Sequence, residues 1–73
     1  SSAAPSNVDP ETQSYQRAYN LLGKQQFTPA KAGFQSYLQQ YPQGKYAADS
    51  HYWLGELALV DGDESGAIRE FTT

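Results

Sequence analysis

Apolar residues recur along this chain at helical spacing in four blocks, each bounded by turn-forming residues. Asp9-Pro10-Glu11 opens the first block. The Asp side chain can accept from free backbone amides there, and the proline stands in a first turn, where its missing donor does no harm. The spacing predicts a helix from about Pro10 to Gln25, with Tyr15, Ala18, Tyr19 and Leu22 on one face and Leu21 alongside. Thr28-Pro29 repeats the cap logic and predicts a second helix carrying Ala30, Phe34, Tyr37, Leu38 and Tyr41, which Pro42 ends. After the turn Gln43-Gly44-Lys45, Tyr46 to Val60 reads as a third helix with Ala48, Tyr52, Gly55 and Leu59 on one stripe. Gly62 stops it by adopting the left-handed conformation open to glycine. Asp63 then caps a fourth helix that begins near Glu64 and carries Ala67, Ile68 and Phe71. Residues 1 to 9 are small, polar and broken by proline, which predicts a flexible linker ahead of an all-α domain over 10–73.

The two helix pairs align with each other at an offset of 37 residues, which sets Ala18 on Gly55, Ala30 on Ala67 and Phe34 on Phe71. Two helices that cross closely need a small residue on each, and a large ring to fill the space beside the crossing. Together with Pro42, these spacings resemble the tetratricopeptide repeat (TPR), a helix–turn–helix unit of about 34 residues. The resemblance covers Glu11 to Thr73, with repeat one over about 11–46 and repeat two over about 48–73; the plainer alternative is an ordinary helical bundle whose small and large residues align by chance. It implies antiparallel helix pairs stacked as part of a right-handed solenoid. Ser14 and Arg17 depart from it by standing where large apolar residues are usual, and Gln25 replaces the glycine of the turn inside the repeat. Gly33 lies within a helix at a cost of about 1 kcal/mol relative to alanine. These departures predict a looser first repeat. In the second, no following helix covers Ile68 and Phe71, so marginal stability or self-association through that face is expected.

Composition narrows the function. The 73 residues include no cysteine, no methionine and one histidine, with 38% apolar residues, enough for one small domain whose core supplies about 3–5 kcal/mol. Disulfides and thiolate-bound metal are excluded, and a single imidazole does not make a metal site, so no metal or cofactor is expected. No apolar run is long enough to span a membrane, and no charged segment followed by an apolar one marks a signal peptide. Residues 1–46 carry Arg17, Lys24, Lys31 and Lys45 against Asp9 and Glu11, a net of +2. Residues 47–73 set Asp49, Glu56, Asp61, Asp63, Glu64 and Glu70 against Arg69 alone, a net of −5. Basic residues spread singly do not make a nucleic-acid surface. Asp61, Asp63 and Glu64 lack the ligand spacing of a calcium loop and read as a turn with a cap, and His51 reads as a helix-surface residue. With no Ser/His/Asp or Cys/His set and no glycine-rich phosphate loop, no catalytic residue is expected.

Three stretches carry a narrower resemblance: Tyr15-Gln16-Arg17-Ala18-Tyr19-Asn20-Leu21-Leu22, Phe34 through Pro42 (FQSYLQQYP), and Lys45 through Glu56 (KYAADSHYWLGE). They are similar to the carboxyl-terminal TPR domain of the YbgF/CpoB family. The resemblance implies a non-enzymatic periplasmic adaptor of the Tol–Pal system, which binds TolA and links outer-membrane constriction to septal peptidoglycan synthesis in cell division. The peptidoglycan synthase machinery would be a further partner, and the family trimerises through a coiled coil upstream of the TPR domain. Two other readings stay open: a TPR scaffold of an outer-membrane assembly lipoprotein, and a TPR module fused to an enzyme. TPR units bind peptides on a stripe of their first helices. That stripe corresponds here to Thr12, Tyr15, Tyr19 and Leu22, then Asp49, Tyr52, Glu56 and Leu59. Tyrosine offers large area with a hydrogen-bonding tip, and the two carboxylates favour a basic or amide-rich segment. The plainer reading has Tyr15, Tyr19 and Tyr52 packing between repeats and both carboxylates solvated. Trp53 reads as packing against the neighbouring helix pair, with an interface anchor as the functional alternative.

Overall fold

The computed structural model describes residues 9–73, so the linker expected over 1–9 lies outside the described residues except for Asp9. The described chain forms four helices, α1 (Pro10–Gly23), α2 (Phe27–Gln40), α3 (Ala47–Val60) and α4 (Glu64–Phe71), and includes no strand. Each helix packs on the next, α1 on α2, α2 on α3 and α3 on α4. Connections as short as Lys24-Gln25-Gln26 and Asp61-Gly62-Asp63 make each pair an antiparallel hairpin. No helix among the described residues is long and apolar enough to cross a membrane.

Two helix starts follow the cap chemistry of the sequence. Thr12 donates its backbone N–H to Asp9 Oδ1 at 2.7 Å, and Gly66 donates to Asp63 Oδ1 at 2.9 Å. The start of α2 departs from expectation, because the helix begins at Phe27 and Gln26 precedes it without a side-chain cap bond. Pro29 still falls in the first turn, where backbone donors have no acceptor within the helix. α3 starts one residue later than expected, at Ala47, with Tyr46 as its cap. α1 stops at Gly23 instead of Gln25. The reason is Gln25 itself, which takes a left-handed φ of 60° while Gln25 and Gln26 donate to Leu22 and Leu21 carbonyls at 2.9 Å. Left-handed backbone costs a side-chain-bearing residue about 1–2 kcal/mol, and glycine's extra freedom when unfolded returns part of any gain. Gln25→Gly is therefore expected to raise stability by about 1 kcal/mol, read as a higher urea midpoint at unchanged slope. An unmoved or lower midpoint would reject strain at this turn. Gly62, with φ 77°, closes α3 as the sequence predicts.

The core joins Tyr15, Ala18, Ala30, Phe34, Tyr37, Leu54 and Leu57, with Leu21, Leu22, Leu38, Tyr41, Tyr46 and Trp53 packed against it. Gly33 has a purpose that helix propensity does not reveal. A side-chain carbon there would stand 2.8 Å from Ala18 Cβ, so the glycine lets α2 approach α1. In the second hairpin the Phe71 ring lies directly on Gly55. Phe34 is fully buried, and Phe71 is 44% exposed. Ser50 is fully buried too, and its Oγ has no hydrogen-bond partner. A buried hydroxyl without a partner loses its hydration for nothing, so Ser50→Ala is expected to be neutral or to stabilise by about 1 kcal/mol in urea melts. A loss of stability would show that Oγ is bonded.

One carboxylate fixes the α2–α3 turn onto the start of α1. Glu11 Oε2 accepts from the Tyr37 hydroxyl at 2.6 Å and from the Lys45 backbone N–H at 2.8 Å, while Tyr46 donates its N–H to the Tyr37 oxygen at 2.8 Å. Gly44 leaves room for this cluster, since a side-chain carbon there would run into both Glu11 Oε2 and the Tyr37 hydroxyl. Lys45 Nζ adds an exposed ion pair to Asp9 at 3.1 Å. Held this way, Tyr46 is delivered beside α1.

Candidate protein-binding cleft

Between α1 and α3 lies an open cleft of about 380 Å³ lined by Tyr15, Gln16, Tyr19, Tyr46, Asp49 and Trp53. Tyr15 and Tyr19 are one helical turn apart, and their rings stack at 6.1 Å. Tyr46, placed by the Glu11 cluster, lies flat on Tyr15 with centroids 4.4 Å apart and planes 7° apart. Trp53 meets Tyr19 edge to face at 5.8 Å, and its indole N–H donates to the Tyr15 oxygen at 3.0 Å. These are the offset and edge-on geometries that aromatic quadrupoles favour, so the rings hold one another in place. Asp49 lies one turn before Trp53 on α3 and is exposed. Burial pushes the Tyr15 phenol pKa above its ordinary value. The Trp53 hydrogen bond opposes that rise and the nearby Asp49 charge adds to it. Among the described residues the ion pairs are Lys45–Asp9 and His51–Glu70, and neither engages Asp49.

Of the eight residues the sequence picks out, the structure brings Tyr15, Tyr19 and Asp49 together in the cleft. Thr12 adjoins it, with Oγ1 3.3 Å from the Tyr46 hydroxyl. Leu22 packs against the core instead. Tyr52 turns towards α4, with its ring 5.8 Å from Phe71, and lines a different hollow with His51 and Glu70. Glu56 is half-buried and Leu59 exposed, and neither lines the cleft. Gln16, Tyr46 and Trp53 line it and were not picked out as binding residues. The stripe assigned equivalent positions to both helices, whereas a groove between two neighbouring helices is lined by a different flank of each. Trp53, one turn after Asp49, carried the available signal. His51 also departs from the expected surface position: it is half-buried, and its Nδ1 lies 2.8 Å from Glu70 Oε1.

No family profile and no solved structure matches the chain. Two Pseudomonas putida proteins, each named cell division coordinator CpoB, are 36% identical to it over 62 residues. The match takes in 85% of this chain and 23% of each relative, so the chain spans about a quarter of their length. The relatives and the phrasing of residues 15–22, 34–42 and 45–56 agree: this chain is a segment belonging to the YbgF/CpoB family.

Proposed function

We propose that this chain is a non-enzymatic adaptor segment of the Tol–Pal system that works in the periplasm during cell division. In this reading its two hairpins are TPR units of a right-handed solenoid, and TolA docks across the first-helix surface of α1 and α3. The observation that carries it is the aromatic cleft, where Tyr15, Tyr19 and Asp49 from the expected binding stripe converge. The name of the two relatives, cell division coordinator, supports the cellular role. The small-on-small pairs Ala18 with Gly55 and Ala30 with Ala67, all buried, support the repeat.

The test is an amide-shift titration of the chain with the periplasmic part of TolA at low and moderate salt. Shifts are expected to cluster on Tyr15, Tyr19, Tyr46, Asp49 and Trp53 and to weaken with salt, as a contact aided by charge does. A folded chain in which saturating TolA moves none of these residues would overturn the proposal.

A further inference from the structure

We propose that the α1–α3 cleft is a seat for an arginine side chain presented by a partner polypeptide. This rests on the adaptor reading and names the chemistry such an adaptor selects. Among the described residues Asp49 is the only charged one lining the cleft, and no cation pairs with it. Around it stand four aromatic rings, of which Tyr19 remains 47% exposed. A guanidinium suits this combination. It is planar, weakly hydrated, stacks on aromatic faces and bonds a carboxylate through paired N–H groups, whereas an ammonium is a strongly hydrated point charge. An anionic segment would be repelled by Asp49, and a neutral one would leave that carboxylate unpaired. The net of −5 over residues 47–73 adds a field that draws a basic segment towards α3. The chain's own nearby cation is engaged elsewhere: Lys45 Nζ is tied to Asp9 and lies over the Tyr46 ring at 5.7 Å, a cation–π contact outside the cleft lining, which leaves Tyr15, Tyr19 and Trp53 as the aromatic walls beside Asp49.

Trp53 is the sole tryptophan and lines this cleft, so its emission and its indole N–H resonance report on it, with Tyr52 as a further ring neighbour at 4.9 Å. The experiment titrates the 73-residue chain with acetyl-Gly-Arg-Gly-amide and with the peptide in which citrulline, nearly the same shape but uncharged, replaces arginine. Saturable changes at Trp53 are expected with the arginine peptide, with the citrulline peptide binding about fivefold more weakly. Asp49→Asn is expected to weaken the arginine peptide by about fivefold. Asp49 is exposed, so helical circular dichroism should stay unchanged in that variant. Equal binding of the two peptides, an Asp49→Asn chain that binds as well as the parent, or no response at Trp53 would each overturn the seat. The two proposals fail separately. If TolA docks at the cleft and the peptides do not discriminate, only the arginine chemistry falls. If the arginine peptide occupies the cleft and TolA moves nothing, the seat stands and the adaptor reading falls.

Discussion

Phe34→Ala is expected to abolish cooperative folding at room temperature. The ring is fully buried, lies 5.8 Å from Tyr15 at a 59° tilt, and belongs to the cluster that joins α1, α2 and α3. Truncating a buried phenylalanine costs about 3–5 kcal/mol through lost transfer energy and the cavity left behind. That equals the roughly 3–5 kcal/mol a core of this size supplies, so nothing remains to hold the fold. The measurement is circular dichroism through a urea titration, where the variant should show a non-cooperative slope from the first point. A cooperative transition displaced by less than about 1 kcal/mol would mean that Phe34 is not central to the core. Phe71→Ala, 37 positions on and with a ring 44% exposed, serves as the contrast and should keep its transition.

Raising the pH from 10 to 12 is expected to remove about 2–3 kcal/mol of stability through one phenol. The Tyr37 pKa is pushed up from 10.0 to about 12. Burial is the main cause. The hydrogen bond to Glu11 adds to it, because a phenolate could not donate and would face the carboxylate as a like charge, while the Tyr46 N–H works in the opposite direction. In the unfolded chain the same phenol titrates near its ordinary value. Between the two pKa values the unfolded state therefore binds fewer protons than the folded state, and stability falls with rising pH by about 1.4 kcal/mol per unit. Below pH 10 this group contributes no slope. Tyr15 is also raised, so the effect must be taken as a difference between the parent and Tyr37→Phe. At pH 9 the variant should be less stable by about 1 kcal/mol, having lost the phenol's bonds to Glu11 and Tyr46. That gap should close and then reverse as the pH approaches 12. A gap that stays constant from pH 9 to pH 12 would place the Tyr37 titration at its ordinary value.

The places where sequence reasoning departed from the structure share a cause. Gln25 and Gly33 are both positions where a backbone requirement overrides the local preference of the residue. Gln25 sits in a left-handed turn that its type disfavours, and Gly33 is retained in a helix because Ala18 presses against it. Neither is visible to periodicity, which registers the side chains that recur on a face and not the distance between two helix axes. The Glu11 cluster escaped for the same reason. It joins residues 26 and 34 positions apart, through a phenol that read only as core. The cleft was half legible. Tyr15, Tyr19 and Asp49 lay on the expected stripe, while Tyr46 and Trp53 read as a helix start and a packing residue.

What the sequence determined by itself was the set of helices, the caps at Asp9 and Asp63, the stop at Gly62, and the small residues where helices meet. All of these rest on interactions within a few residues, or on a period that one helix imposes on its own side chains. Only the tertiary structure decided which flank each helix turns to its neighbour. Tyr52 therefore faces Phe71 while Trp53 faces Tyr15, and a cleft lined by two different flanks cannot be read from either helix alone.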